Sequence, residues 1–159
     1  MEPRMIEREA FRIIGVKKSF HFDDEFGQAK EIHRFWRALD EDGTLDHLIG
    51  LSNGQITGLI GATLSANEKN NQMEYMIAVE FKGNTPEDFI LEDVPTAKWA
   101  VFEVIGVVKD VVPETWEKIY SHWLPTSGYE LGDAPLLEVY KTRDPYSPKA
   151  KIDIWVPVK

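Results

Sequence analysis

The chain has 159 residues, 43% of them apolar and 28% charged, and its 18 basic against 27 acidic side chains leave a formal charge of −9. That size and composition suit one globular domain, or two small halves sharing a core, and the negative field opposes direct binding to nucleic-acid phosphates or anionic membrane surfaces. Cysteine is absent, which excludes disulfides, zinc–thiolate sites and thiol nucleophiles.

No apolar run approaches the roughly 18 residues of a membrane span. The start, Met1-Glu2-Pro3-Arg4-Met5, runs into Glu7, Arg8 and Glu9 rather than an apolar segment, so a cytoplasmic location is the default expectation.

In chain order, Met5 to Phe20 reads as one long strand, with Phe11 and Ile13 alternating against Arg12 and Ile14. Asp23 and Asp24 then offer N-cap oxygens to an amphipathic helix bearing Ala29, Ile32, Phe35, Trp36 and Leu39, which Asp40-Glu41-Asp42 and Gly43 bring to an end. Leu48 to Ser65 is punctuated by glycines and predicts one or two short strands, with a turn at Asn53-Gly54. Its spacing matches neither the dinucleotide nor the P-loop pattern. Met73 to Phe81 is a clear strand, with Met73, Tyr75, Ile77, Val79 and Phe81 on one face.

The second half repeats this order. A strand from Trp99 to Gly106 follows the turn at Asp93-Val94-Pro95. Next comes a helix with Pro113 near its first turn and Trp116, Ile119, Tyr120 and Trp123 along one face, stopped by Pro125 and Gly128. Ile32 and Trp36 match Ile119 and Trp123 in spacing, and Lys151 to Val158 closes this half as Glu74 to Phe81 closes the first. The reading is therefore α+β: a single domain built as a tandem, pseudo-twofold repeat of β-α-β-β units, at about residues 5–82 and 90–158. Two helices on one face of an antiparallel sheet leave the other face uncovered, and a ligand cleft between the repeats is the economical use of such a surface.

The strand at Asp133 to Tyr140 carries the chemistry. Period-two alternation puts Glu138 and Tyr140 on one face and Leu137 and Val139 on the other, with Lys141 also pointing away from Glu138. His21, His33, His47 and His122 lie on separate elements without metal-ligand spacing, so no metal site is expected. The absence of Gly-x-Ser-x-Gly counts against a serine hydrolase. Arg143 to Lys151 reads as a solvated loop.

Several stretches together resemble the GyrI-like small-molecule-binding domain, the effector-binding domain of AraC-type and BmrR-type regulators. They are Glu74-Tyr75-Met76-Ile77-Ala78-Val79-Glu80, Asp93-Val94-Pro95 through Phe102, Trp116 to Trp123, Pro135-Leu136-Leu137-Glu138-Val139-Tyr140 and the closing Ile152 to Val158. The resemblance covers nearly the whole chain. It implies an aromatic-lined cleft with Glu138 at its floor facing cationic or lipophilic aromatic ligands, and ligand-binding roles for Tyr140, Trp99, Tyr75, Phe102, Trp123 and Trp155.

Three functions are then open: a stand-alone binder that sequesters or senses such compounds, a hydrolase of cyclopropane-containing genotoxins using Glu138 and Tyr140, or a protein-interaction module such as a gyrase inhibitor. No cofactor is expected. The partner is a small aromatic or cationic molecule, with a protein partner left open.

Overall fold

The computed structural model describes residues 2–21, 25–67 and 69–159. Its elements run β1 (Arg4–Arg8), β2 (Phe11–His21), α1 (Glu25–Glu41), α2 (Thr44–Leu51), β3 (Leu59–Asn67), β4 (Gln72–Glu80), β5 (Ile90–Val94), β6 (Ala97–Ile105) and α3 (Val108–Lys118). A π-helical turn (Ile119–Trp123), α4 (Leu124–Ser127), β7 (Leu136–Tyr140) and β8 (Lys151–Val158) complete the chain. The fold is α+β, as expected. Contacts divide the chain into two units, Arg12–Asp93 and Met1–Phe11 with Val94–Lys159.

In the unit Arg12–Asp93, β4 lies between β3 and β2, antiparallel to both, and β5 flanks β2. The register sets Ile14 opposite Val79, Val16 opposite Ile77 and Phe20 opposite Met73, so these side chains share a face. Phe35 and Leu39 of α1 and Leu45 and Leu48 of α2 cover that face, and Tyr75 is buried in the same cluster. Each large apolar side chain buried here stabilises the unit by about 1.5–3 kcal/mol. The core face read from the alternation of Met73, Tyr75, Ile77 and Val79 is the one observed.

The other unit orders its strands β1-β6-β8-β7, all antiparallel. Phe102, Ile154 and Glu138 are consecutive cross-strand neighbours and share one face. That face carries Val112 and Ile119 from the helical segment. The opposite face holds Trp99, Val101, Trp155, Leu137 and Val139. Glu138 therefore faces the helix side of its own sheet. The sequence reading set the cleft on the uncovered face, because alternation tells which residues share a face but not which face a helix occupies.

Several local elements differ from the sequence expectation. The single strand expected from Met5 to Phe20 is two strands. The Ala10 N–H donates to Thr96 Oγ1 at 3.0 Å, and β1 pairs with β6, Ile6 opposite Trp99, so the first strand belongs with the second half of the chain.

The strand expected from Leu48 is instead the end of helix α2. The Asp42 carboxylate accepts the Thr44 N–H at 2.9 Å, Gly43 takes φ 83°, and the new helix buries Leu45 and Leu48. Gly43 ends α1, as read from the sequence, because a left-handed backbone suits glycine.

Asn53-Gly54 is not a hairpin turn but part of a loop fastened to the end of β4. The Asn53 side chain exchanges hydrogen bonds of 2.7 and 2.8 Å with the Lys82 backbone. The Glu80 carboxylate, 1% exposed, accepts the N–H groups of Gln55 and Ile56 at 3.2 and 3.1 Å. Pro113 lies inside α3, which begins at Val108, rather than near the first turn. The cap expected from Asp23 and Asp24 lies outside the described residues.

Candidate ligand-binding site

Two elements build the site. β7 presents Glu138 and Tyr140 on its helix-facing side, and α3 lays Trp116 across them. The Trp116 indole Nε1–H donates to Glu138 Oε2 at 2.7 Å, and the Tyr140 hydroxyl donates to Oε1 at 2.8 Å. Trp116 stacks on Tyr120 with ring centroids 5.6 Å apart and 19° between planes, and Tyr120 is 43% exposed at the rim.

Burial raises the Glu138 carboxyl above its ordinary 4.5, while the hydrogen bonds from Trp116 and Tyr140 act in the opposite direction. No neighbouring charge is among the causes. The arrangement is a half-buried carboxylate gripped by aromatic donors and lacking a basic partner among the described residues. Such a group can balance a cation that has lost its water, with ring faces adding cation–π attraction of roughly 0.5–2 kcal/mol.

The residues singled out from the sequence separate into groups. Glu138 and Tyr140 are joined directly. Phe102 lies on the same sheet face but is 1% exposed and packs edge-to-face on Trp123 at 5.1 Å. Trp123 in turn stacks on Tyr129 at 6.4 Å, and Lys98 sits over the Tyr129 ring at 5.0 Å.

Trp99 and Trp155 do not flank Glu138. They occupy the opposite strand face, buried and edge-to-face at 5.5 Å, and neither indole N–H has a hydrogen-bond acceptor among the described residues. The aromatic neighbours of the Glu138 carboxylate are Trp116 and Tyr140, and not Trp99 or Trp155. Tyr75, in the other unit, is buried in that unit's core with its hydroxyl accepting the Trp36 indole N–H at 2.9 Å. Lys141 points away from Glu138, as read, and pairs with Asp153 at 2.8 Å.

Trp116, which the sequence places on the apolar face of helix α3 without a role in the site, is the indole that reaches Glu138. Trp123, which the family resemblance implies for the site, packs on Phe102 instead. A π turn follows α3, carrying the Leu124 N–H back to the Ile119 carbonyl. Among the described residues, no group of three or more His, Asp or Glu could hold a metal.

A family profile described as GyrI-like small molecule binding domain matches residues 1–159. The chain is similar to SAV2435, solved bound to tetraphenylphosphonium, at 25% identity and a TM-score of 0.86, over 100% of this chain and 94% of that one. It is similar at 25% identity and a TM-score of 0.83 to a protein from Staphylococcus aureus MU50 described as a putative bacterial transcription regulation protein, over 100% and 99% of the two chains. A hydrolase from Listeria innocua shares the fold at 15% identity and a TM-score of 0.56, over 99% and 92%. Comparison with curated proteins finds no match. With the family profile spanning the whole chain, this protein belongs to the GyrI-like small molecule binding domain family.

Proposed function

We propose that the chain binds lipophilic aromatic cations at Glu138, serving to sequester or sense them. One observation carries this reading: the Glu138 carboxylate accepts hydrogen bonds from two aromatic donors, Trp116 and Tyr140, on the aromatic, helix-covered face of its sheet. The tetraphenylphosphonium bound to SAV2435 supports the ligand class. Calorimetric titration with tetraphenylphosphonium tests it. Glu138→Gln should weaken that cation about tenfold or more, a cost of roughly 1.4 kcal/mol, and leave neutral triphenylphosphine oxide nearly unchanged. Equal weakening of both would assign Glu138 a packing role only.

A second reading rests on the raised Glu138 pKa. A carboxylate pushed toward the operating pH is a better general base, and Glu138 would then draw a proton from water as its oxygen bonds to a cyclopropane carbon of an aromatic electrophile, the strained ring C–C bond breaking and its electron pair taking up a proton on the released carbon or its conjugated acceptor. Mass spectrometry of recovered ligand tests this. Wild-type turnover no faster than the buffer control removes the hydrolase for that substrate and leaves the binder standing.

A further inference from the structure

We infer that the Glu138 site selects cations with no hydrogen on the charged centre, such as phosphonium and quaternary ammonium, over primary ammonium and guanidinium cations. The inference rests on the proposed binding of cations at this carboxylate and goes on to name which cations.

The number of acceptor sites left on the carboxylate sets this preference. An ionised carboxylate offers about four lone-pair sites, two on each oxygen. Trp116 already occupies one on Oε2, at 2.7 Å, and Tyr140 one on Oε1, at 2.8 Å. Both donors are held by their own packing: Trp116 stacks on Tyr120, and both Trp116 and Tyr140 pack against the apolar cluster of this unit. About one lone pair per oxygen is left, among ring faces that accept hydrogen bonds only weakly.

A primary ammonium brings three N–H donors and a guanidinium five. Either must leave donors unmatched on entering, or displace Trp116 or Tyr140 and strand that donor instead. Each unmatched buried donor lowers affinity about fivefold to a hundredfold. A phosphonium or quaternary ammonium has no donor to strand. It keeps both resident hydrogen bonds and meets the carboxylate by charge and the rings by cation–π attraction.

The test uses the full chain and a matched pair of cations on one ring, 2-naphthylmethyl-trimethylammonium and 2-naphthylmethylammonium, with tetraphenylphosphonium as reference. The extra methyl groups favour the quaternary cation through apolar area alone, so the readout is how the affinity ratio changes between variants. Trp116→Phe keeps a ring and frees a lone pair on Oε2, and Tyr140→Phe does the same on Oε1. The quaternary-to-primary ratio should fall about tenfold in each. Circular dichroism checks that both variants are folded, and either one suffices.

If both variants bind tetraphenylphosphonium and the ratio stays within twofold of wild type, the preference is one of apolar area and the inference is overturned while the proposed function stands. If the wild type binds none of the three cations, the proposed function fails and takes the inference with it.

Discussion

Tyr140 and Glu138 stand two residues apart on β7, and the phenol donates to the carboxylate at 2.8 Å along the same strand face. With Trp116 on the other oxygen, the acid is hydrogen-bonded at both ends yet has its pKa raised by burial. That combination makes ligand binding depend on pH. A cation favours the ionised acid, so affinity for tetraphenylphosphonium should increase as pH rises from 4.5 through the raised pKa of Glu138, with a proton released on binding at intermediate pH. Titrations in buffers of different ionisation enthalpy measure that proton, and Glu138→Gln should flatten the profile.

Stability should run the other way. A carboxyl whose folded pKa lies above its unfolded value contributes most below the unfolded pKa, and that contribution is lost as pH rises through the folded pKa. The melting temperature of Glu138→Gln relative to wild type should therefore rise as pH increases from 4.5 to 8 and fall back as pH returns toward 4.5. Thermal melts across that range check it; a relative melting temperature that rises toward acid would contradict the raised pKa.

Tryptophan emission should report the site through one residue. Trp116 touches the carboxylate, whereas Trp99 and Trp155 are on the opposite face of the sheet. Trp116→Phe should remove most of the quench produced by an aromatic cation, and Trp99→Phe should retain it. Stopped-flow or equilibrium fluorescence of the two variants compares them directly.

The loop after α2 depends on a buried acid remote in sequence. Replacing Glu80 with alanine strands the N–H groups of Gln55 and Ile56, and the expected loss is about 2–4 kcal/mol in urea unfolding. Glu80→Gln, which keeps one acceptor oxygen, should recover part of it.

Local sequence determined a good deal of this protein. Alternation alone put Glu138 with Tyr140, set Lys141 on the other side and picked out Met73, Tyr75, Ile77 and Val79 as a core face, because strand periodicity is a property of the backbone. Gly43 marked the end of α1 for an equally local reason, its left-handed φ.

Tertiary structure decided the choices among partners far apart in the chain. β1 paired with β6 rather than continuing into β2. Leu45 and Leu48 made a helix of a glycine-punctuated stretch by having a core to enter. Trp116 met Glu138 while Trp123, further along the helical segment, packed on Phe102 of the same sheet face. Trp99 and Trp155 went to the face away from the acid because register, which no local pattern encodes, sets which strands and faces meet. The carboxylate and its phenol were thus legible in β7, whereas the indole that completes the site became visible only once α3 was packed across the sheet.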